Sequence, residues 1–353
     1  MSIYGRGAMA GGKRPIPINV SNNGTWTRDG GYNPVKVSVE AKTVTSGSKT
    51  IAANGVYDVA EFKEADVNVP ASAVTRGTVI VTAEGEYDVT NFKHVVVDIG
   101  AVFATTSPVS GVSYVDGLPN DWYIMKEIGM AISEASGSIN ENTTGSIYVN
   151  KENKWAYKIT PGDTIDVTSQ IGIFTYAVMG FNNFYLVDRA NYGGRHATAG
   201  LTFGAVDCVG NYPMNSTNTN NGGWGECLMR TSTMPTLQNG MPDTLAKVKV
   251  PYVDYDNQSS ILYSDDYMFL PAEKEVFGTR TYSPTVEANA LTQFAYYKNG
   301  GSKIKSFSGG AVIWWLRSVP YSGSSLFCFV NTSGGENLYG ASNTLGASLC
   351  FCV

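Results

Sequence analysis

The sequence predicts an α+β chain in which an all-β repeat region precedes a larger mixed domain. In the first third, short alternating strands recur with a period of about 30 residues. The remainder combines helical spacing, strand alternation and long Gly/Ser/Asn loops, without an alternating βαβ series. The abundance of Gly (39 residues) and Tyr (21 residues) is typical of turn-rich β proteins with aromatic contact surfaces.

The repeat region is preceded by an arm and followed by a linker. Residues 1–20 are rich in Gly, Lys, Arg and Pro without periodicity, which indicates a flexible arm or an attachment peptide that docks on a larger body. Residues 21–103 hold three β units, each with a turn, a short strand and an alternating closing strand. The closing strands are Val35–Val39, Ala65–Val69 and Val95–Ile99. Residues 104–117, rich in Ser, Thr, Pro and Gly, are predicted to be a linker.

Each repeat is too small to bury a core on its own. Three in series can form a compact β-sandwich spacer, or a stalk that neighbouring chains complete. For the stalk the expected assembly is a homotrimer. Both interpretations remain open at this point.

The last domain is predicted over residues 118–353. It begins with a helix over Asn120–Ser136, capped by Asn120 or Asp121, in which apolar residues recur at helical spacing. Further strands are predicted at Tyr148–Thr160, Gly172–Phe184, Ala311–Arg317, Leu326–Val330 and Leu349–Val353, and short helices at Gly222–Leu237 and Leu270–Phe277.

Composition excludes several classes of protein. The net charge is −5 and no Lys/Arg run occurs, which argues against nucleic-acid binding. The longest apolar stretches are too short to insert in a membrane, and the first residues lack the apolar segment of a secretory signal. The five cysteines are an odd number without CxxC spacing, so no metal site or cofactor is predicted. Cys328 and Cys352 alternate with bulky apolar residues and are expected to be small buried residues in strands. A disulfide and a role for Ca²⁺ stay open.

No catalytic constellation is visible, and the chain is predicted to be non-enzymatic. His94 lies in a repeat strand and His196 in a Gly-rich loop. Glu273 and Glu275 are only two residues apart, so they do not face each other on a helix. A polysaccharide hydrolase built on distant acid pairs is the remaining enzymatic alternative.

The final forty residues carry most of the information about a site. Trp314 and Trp315 are adjacent in a strand and therefore point to opposite faces. Arg317 follows this apolar run and is predicted to be a buried or half-buried donor to loop carbonyls. The residues predicted to be structural are Trp224, Trp314, Trp315 and Arg317.

The next strand alternates, with Leu326, Cys328 and Val330 on one face. Its other face presents Ser325, Phe327, Phe329 and Asn331, and two exposed Phe indicate a surface that something covers. Burial of both faces is the alternative. The segment Glu336–Tyr339 then has the character of an adaptable binding loop with a Tyr anchor.

At these residues the sequence resembles a known family. "WWLRS" followed by "FCFVNTSGGENLYGASNTLG" is similar to the end of a domain of unknown function in phage and prophage proteins of gut bacteria. Upstream matches in the same order are "VMGFNNF", "MNSTNTNNGGWGECLMR", "MPDTLAKVKVPY", "MFLPAEKEVFG" and "FAYYKNG". They extend the resemblance over roughly residues 118–353. The repeats resemble the "NGTYDV…VDVNVP" spacers of siphophage structural proteins.

The resemblance implies a C-type-lectin-like fold and, as in variable proteins of diversity-generating retroelements, a diversified ligand-binding face near the C-terminus. With the strand alternation it predicts ten ligand-binding residues: Tyr321, Ser324, Ser325, Phe327, Phe329, Asn331, Glu336, Leu338, Tyr339 and Leu345. The expected function is that of a virion adhesin, made in the host cytoplasm and released by lysis, that binds a bacterial or mucosal surface glycan or protein. Its arm would contact other virion proteins. A capsid-decoration or tail-fibre protein without a receptor is the main alternative.

Overall fold

Strands dominate the fold in the computed structural model of the chain, and all helices but one are short among the described residues. The structure describes residues 102–353 apart from 152–153 and 189–196, and within residues 1–101 the backbone of the strands named below. The chain divides into two compact units, Met1–Ala101 and Val102–Val353. The coarse prediction of an α+β chain is confirmed in that both strands and helices are present, with strands in the majority.

The first unit is built from short strands. They are β1 Pro17–Val20, β2 Thr25–Thr27, β3 Val35–Lys36, β4 Lys49–Ala52, β5 Glu64–Asn68, β6 Val79–Val81, β7 Glu86–Tyr87 and β8 His94–Asp98. Six of them form one sheet in the order β4-β1-β2-β5-β8-β6, and β3 pairs with β7. The antiparallel pair β5–β8 joins the second and third repeats, with Asp66 opposite Val96. Residues 1–16 of the predicted arm lie outside the described residues, whereas residues 17–20 belong to the sheet as β1.

The second unit holds the remaining strands and six α-helices of the described chain. The strands are β9 Val102–Thr105, β10 Val115–Asp116, β11 Ile147–Lys151, β12 Trp155–Ile159, β13 Thr164–Ser169, β14 Gly172–Leu186, β15 Thr198–Ala205, β16 Asn211–Pro213, β17 Val248–Asp254, β18 Asn257–Asp266, β19 Met268–Phe269, β20 Lys305–Phe307, β21 Gly310–Val312, β22 Trp314–Trp315, β23 Leu326–Val330, β24 Glu336–Gly340, β25 Thr344–Gly346 and β26 Cys350–Cys352. The helices are α1 Trp122–Glu134, α2 Gly223–Glu226, α3 Met234–Leu237, α4 Glu273–Phe277, α5 Thr285–Ala290 and α6 Ala295–Lys298, with a π-helical turn Met229–Thr233 before α3.

These strands form three main sheets. The largest has the order β18-β17-β14-β15-β26-β19, with β13 paired to β14. A five-stranded sheet follows the order β16-β25-β22-β23-β24, and a four-stranded sheet the order β10-β12-β11-β9. The hairpin β20–β21 stands apart from them. Most of the core lies against the largest sheet, where β14 and β15 contribute nearly continuous buried runs.

The predicted linker at residues 104–117 needs a correction. Its first residues end β9, which pairs with β11, and Val115–Asp116 form β10 in parallel with β12. Both ends therefore belong to the four-stranded sheet of the second unit. The stretch between them is largely exposed and unpaired, as expected of a linker. Ser, Thr and Gly composition predicted a loop there, but pairing with neighbouring strands outweighs local composition at both ends.

Helix α1 begins where the sequence predicts, because the Asp121 carboxylate accepts hydrogen bonds from the backbone N–H groups of Tyr123 and Ile124. Its buried face contains Met125, Ile128 and Ile132, as helical spacing requires. Two glycines let α1 cross β15 at close range. A Cβ atom on Gly200 would collide with the carbonyl oxygen of Gly129.

The last described strand, β26, is an inner strand of the largest sheet, next to its edge strand β19. β26 pairs with β15 on one side and β19 on the other. Phe351 stacks on Phe203 with ring centroids 5.2 Å apart, and it contacts Tyr176 edge-on at 5.0 Å. Such aromatic clusters supply much of the buried apolar surface of a core.

All five cysteines are buried and free. Burial raises the thiol pKa of Cys208, Cys227 and Cys352 to about 12. Reactive thiolate is therefore scarce at neutral pH, and these side chains act as small apolar residues. No helix in the described part of the chain is long and apolar enough to cross a membrane.

Candidate functional site

The ten predicted ligand-binding residues fall into three classes of exposure. The exposed ones are Tyr321, Ser324 and Tyr339; the half-buried ones are Ser325, Asn331, Glu336 and Leu338; the buried ones are Phe327, Phe329 and Leu345. They therefore do not form one continuous surface.

Phe327 and Phe329 correct the sequence-based assignment of a binding face. β23 lies between β22 and β24, and both of its faces are covered. The Phe327 ring is fully buried 6.5 Å from the ring of Trp315, and Phe329 is only 6% exposed beneath Tyr339 at 5.7 Å. The alternation of the strand was read correctly, but every residue from 327 to 330 is apolar, so it could not identify an outer face.

Three further predicted residues have structural contacts of their own. Leu345 is buried because β25 is an inner strand between β16 and β22. The Asn331 side-chain oxygen accepts three hydrogen bonds from Ser333 and Gly335, which shape the turn before β24. The Glu336 carboxylate accepts a hydrogen bond of 2.6 Å from the Thr281 hydroxyl.

The three tryptophans predicted to be structural are fully buried. Each indole N–H donates a hydrogen bond of 2.9 Å: Trp224 to the Asp266 carboxylate, Trp314 to the Lys303 carbonyl and Trp315 to the Tyr212 carbonyl. Large apolar surface and a satisfied N–H are what a buried Trp requires. Substitution of any of them would open a large cavity.

Arg317 is 1% exposed and forms hydrogen bonds with α4, with β17 and with the residue that follows β19. Its Nη1 and Nη2 atoms donate to the two carboxylate oxygens of Glu275, at 2.6 Å each. Its Nε atom donates to the carbonyl of Pro251 at 3.0 Å, and Nη1 also donates to that of Leu270 at 2.8 Å. A bidentate pair with further carbonyl acceptors satisfies a buried guanidinium.

A second buried carboxyl group lies near the Arg317–Glu275 pair but lacks comparable hydrogen-bond partners. Glu287, in α5, is 1% exposed, and neither of its oxygens has a hydrogen-bond partner of ordinary geometry. Burial raises its pKa to about 7, although the Arg317 charge and the nearby Ser318 hydroxyl favour the ionised form. The carboxylates of Glu273 and Glu275 oppose ionisation further.

An open groove of about 580 Å³ lies on the outer side of α5 and is referred to below as the α5 groove. Its walls come from β18, from the segment before α5, from α5 itself and from the loop after β22. The lining residues are Gln258, Arg280, Pro284, Thr285, Val286, Asn289 and Tyr321. Tyr321 is the one predicted ligand-binding residue among them.

The side chains of the α5 groove combine one charge, two amides and one exposed ring. The Arg280 guanidinium carbon lies 5.9 Å from the centre of the Tyr321 ring, and Nη1 donates to the Ser283 carbonyl at 2.8 Å. Tyr321 is 56% exposed. Asn289 and Thr285 are exposed, and their side chains make no hydrogen bond to any described residue.

The loop of residues 321–326 is held by its backbone. The Asn220 side-chain amide donates to the carbonyls of Gly323 and Leu326, at 2.9 and 2.8 Å. The Gln258 amide donates to the Tyr321 carbonyl at 3.2 Å, and the Tyr255 hydroxyl accepts from the Gly323 N–H at 3.1 Å. The position of Tyr321 beside the groove is thereby fixed.

The groove offers polar recognition and an aromatic platform, and its lining contains no carboxylate, thiol or imidazole. Within the described residues, no group of three or more His, Cys, Asp or Glu side chains could hold a metal ion. His196 lies outside the described residues. What this arrangement can do is bind a hydroxyl-rich ligand.

Six lining residues were missed by the sequence analysis, because they come from separate segments upstream of the tail. One signal was available. Arg280 is the only Lys or Arg between Lys274 and Lys298, in a stretch rich in hydroxyl side chains. A single Arg among uncharged polar residues indicates a recognition loop, because an ordinary solvent-exposed segment usually contains both basic and acidic residues.

Comparison with known proteins adds a family of undefined role. Residues 201–353 match the model of a family described as a domain of unknown function (DUF6273). The matched segment runs from β15 to the last described strand and includes the whole α5 groove. No curated protein and no solved structure matches the chain.

Proposed function

We propose that the chain is a non-enzymatic adhesin of a phage particle, whose second unit binds a glycan on a bacterial or mucosal surface through the α5 groove. The observation that carries the glycan assignment is the lining of this groove. An exposed Tyr ring can cover the apolar face of a sugar, while amide, hydroxyl and guanidinium groups bond its hydroxyls. The openness of the groove suits a chain of sugars better than a small enclosed cofactor.

A C-type-lectin-like fold for the second unit belongs to the same proposal. It is supported by short helices and long loops around a mixed set of sheets, and by the resemblance of the WWLRS tail to phage and prophage domains. Variation of the tail by a retroelement is part of this hypothesis. A reverse-transcriptase gene and a near-copy of the C-terminal coding segment beside this gene would support it.

Display on a virion is supported by the siphophage-type repeats of the first unit. In this proposal the arm contacts other virion proteins, and the spacer assembles as a homotrimer that places several grooves on one particle. Several weak sites act together when their ligands are repeated on a surface. Mass measurement of the full chain at micromolar concentration tests the assembly, and a strict monomer would leave the compact-sandwich spacer.

The proposal is tested by binding of the full chain to an array of bacterial and mucosal glycans. Tyr321→Ala should weaken binding by about 1–3 kcal/mol, since a few aromatic anchors carry most of the binding energy. Tyr185→Ala is the matched control, because Tyr185 is 59% exposed on β14, outside the groove lining.

Three outcomes separate the alternatives. Selective binding that is lost in Tyr321→Ala but kept in Tyr185→Ala supports the adhesin. Absence of binding to glycans and to whole cells favours the decoration or tail-fibre protein without a receptor. Shortening of a bound polysaccharide would indicate a virion hydrolase, which needs a carboxyl pair that the groove lining does not provide.

A further inference from the structure

Arg280 is the only charged residue in the lining of the α5 groove. It is exposed, and no described carboxylate lies within ion-pair distance of it. The acidic side chains that contact the segment around Arg280 have other partners: the Glu336 carboxylate accepts from the Thr281 hydroxyl, and the Glu273 carboxylate accepts from the backbone N–H groups of Tyr282 and Ser283. The groove therefore presents a positive charge without a counter-ion on a protein whose net charge is −5.

The guanidinium is also held in one orientation. Its Nη1 atom donates to the Ser283 carbonyl at 2.8 Å, and its carbon lies 5.9 Å from the centre of the Tyr321 ring. The Nε and Nη2 atoms make no hydrogen bond to any described residue. These two atoms share one edge of the guanidinium plane and can donate two parallel hydrogen bonds to a single acceptor group.

Such an edge fits the two oxygens of a carboxylate or a phosphate better than it fits a sugar hydroxyl. Arg binds these anions in a bidentate manner, and the geometry is lost when Lys replaces it. The same groove lining contains neutral polar groups: the amides of Gln258 and Asn289 and the hydroxyl of Thr285. They suit the hydroxyls of the same ligand.

We propose that the α5 groove selects acidic saccharides, with Arg280 bound to the carboxylate or phosphate and Tyr321 packed against the sugar ring. This inference rests on the proposed glycan-binding function and names the chemical class of its ligand. A uronic-acid polymer and a phosphate-linked wall polymer present the same anionic chemistry to Arg280. The two sources are distinguished by experiment.

Isothermal titration calorimetry of the full chain provides the test, with three probes: a galacturonic-acid trisaccharide, a glycerol-phosphate trimer and neutral maltotriose. Arg280→Gln removes the charge, and Arg280→Lys keeps it without the bidentate edge. Lys298→Gln is the control, because it removes an exposed positive charge outside the groove lining. Titrations at about 50 and 200 mM NaCl report the electrostatic share of the affinity.

We expect at least one acidic probe to bind the native chain more tightly than maltotriose, with weaker binding at the higher salt concentration. Arg280→Gln should raise Kd about tenfold or more, Arg280→Lys should recover part of the affinity, and Lys298→Gln should stay within about twofold. Binding of one acidic probe and not the other identifies the source of the anion.

Equal affinity for maltotriose, together with an unchanged Kd in Arg280→Gln, would overturn the acidic-ligand inference while leaving the glycan-binding function in place. If no saccharide binds the native chain here or on the array, the proposed function fails and this inference fails with it.

Discussion

Replacing Glu287 by Gln is expected to stabilise the second unit above pH 7. The native carboxyl is buried in α5 without a hydrogen-bond partner of ordinary geometry, and burial raises its pKa from 4.5 to about 7. The groups that act on it are Arg317 and the Ser318 hydroxyl, which favour ionisation, and Glu275 and Glu273, which oppose it. A neutral amide of the same shape removes the cost of charging this site.

The sign follows from proton binding. Between about pH 4.5 and pH 7 the native state keeps the Glu287 proton while the unfolded chain has released it, so stability falls as the pH rises through this window. Each pKa unit corresponds to about 1.4 kcal/mol, so the native chain loses about 3 kcal/mol relative to the variant across the window. Below about pH 4 the carboxyl is neutral in both states, and this difference vanishes.

Urea unfolding followed by tryptophan fluorescence measures the effect, since Trp224, Trp314 and Trp315 are all buried in the second unit. The quantity of interest is the difference in free energy of unfolding between Glu287→Gln and the native chain at about pH 5 and pH 8. The cost of burying the neutral Gln amide does not depend on pH, so it cancels when the differences at the two pH values are compared. Glu226→Gln, at an exposed position, controls for the loss of one negative charge.

Parallel stability curves for the native chain and Glu287→Gln would refute the reasoning. They would mean that the carboxyl is ionised in the native state at neutral pH, and hence that it has a partner or a solvent path.

Three further substitutions test the core. Arg317→Met should cost about 3–5 kcal/mol in urea unfolding because it leaves the Glu275 carboxylate buried without its partner; full stability would show that the pair is dispensable. Phe329→Ala should destabilise by about 3–5 kcal/mol, as core aromatics do, while ligand affinity per folded molecule stays unchanged. Gly200→Ala should lower the melting temperature measured by circular dichroism, since its Cβ would meet the Gly129 carbonyl, and an unchanged melting temperature would contradict this close packing.

Local signals predicted part of the fold well. Helix α1 and strand β23 were both found, because Asp121 is a strong N-cap and residues 326–330 form an uninterrupted apolar run. Strands β15, β17 and β18 were missed. Gly and Thr in β15 and the polar, half-exposed β18 carry little strand signal, and both are held in place by pairing: β15 with β14 and the distant β26, and β18 with the preceding β17.

The candidate site was predicted only at Tyr321. The sequence predicts the ligand-binding residues in one continuous tail, whereas the α5 groove combines side chains from β18, from the segment around Arg280 and from α5. Whether a tail residue faces solvent depends on what packs on it: Phe329 is covered by Tyr339, while Tyr321 has no such cover. Such packing is a property of the tertiary structure and cannot be inferred from the alternation of apolar and polar residues along a strand.

The conformation of the 321–326 loop does not depend on the identity of its exposed side chains. Asn220, Gln258 and Tyr255 hold this loop through its backbone carbonyl and N–H groups, which every residue type other than proline supplies in full. The exposed side chains of Tyr321 and Ser324 accordingly carry none of the hydrogen bonds that fix the loop. These side chains can therefore be exchanged without loss of the hydrogen bonds that fix the loop, and the scaffold that presents them stays the same.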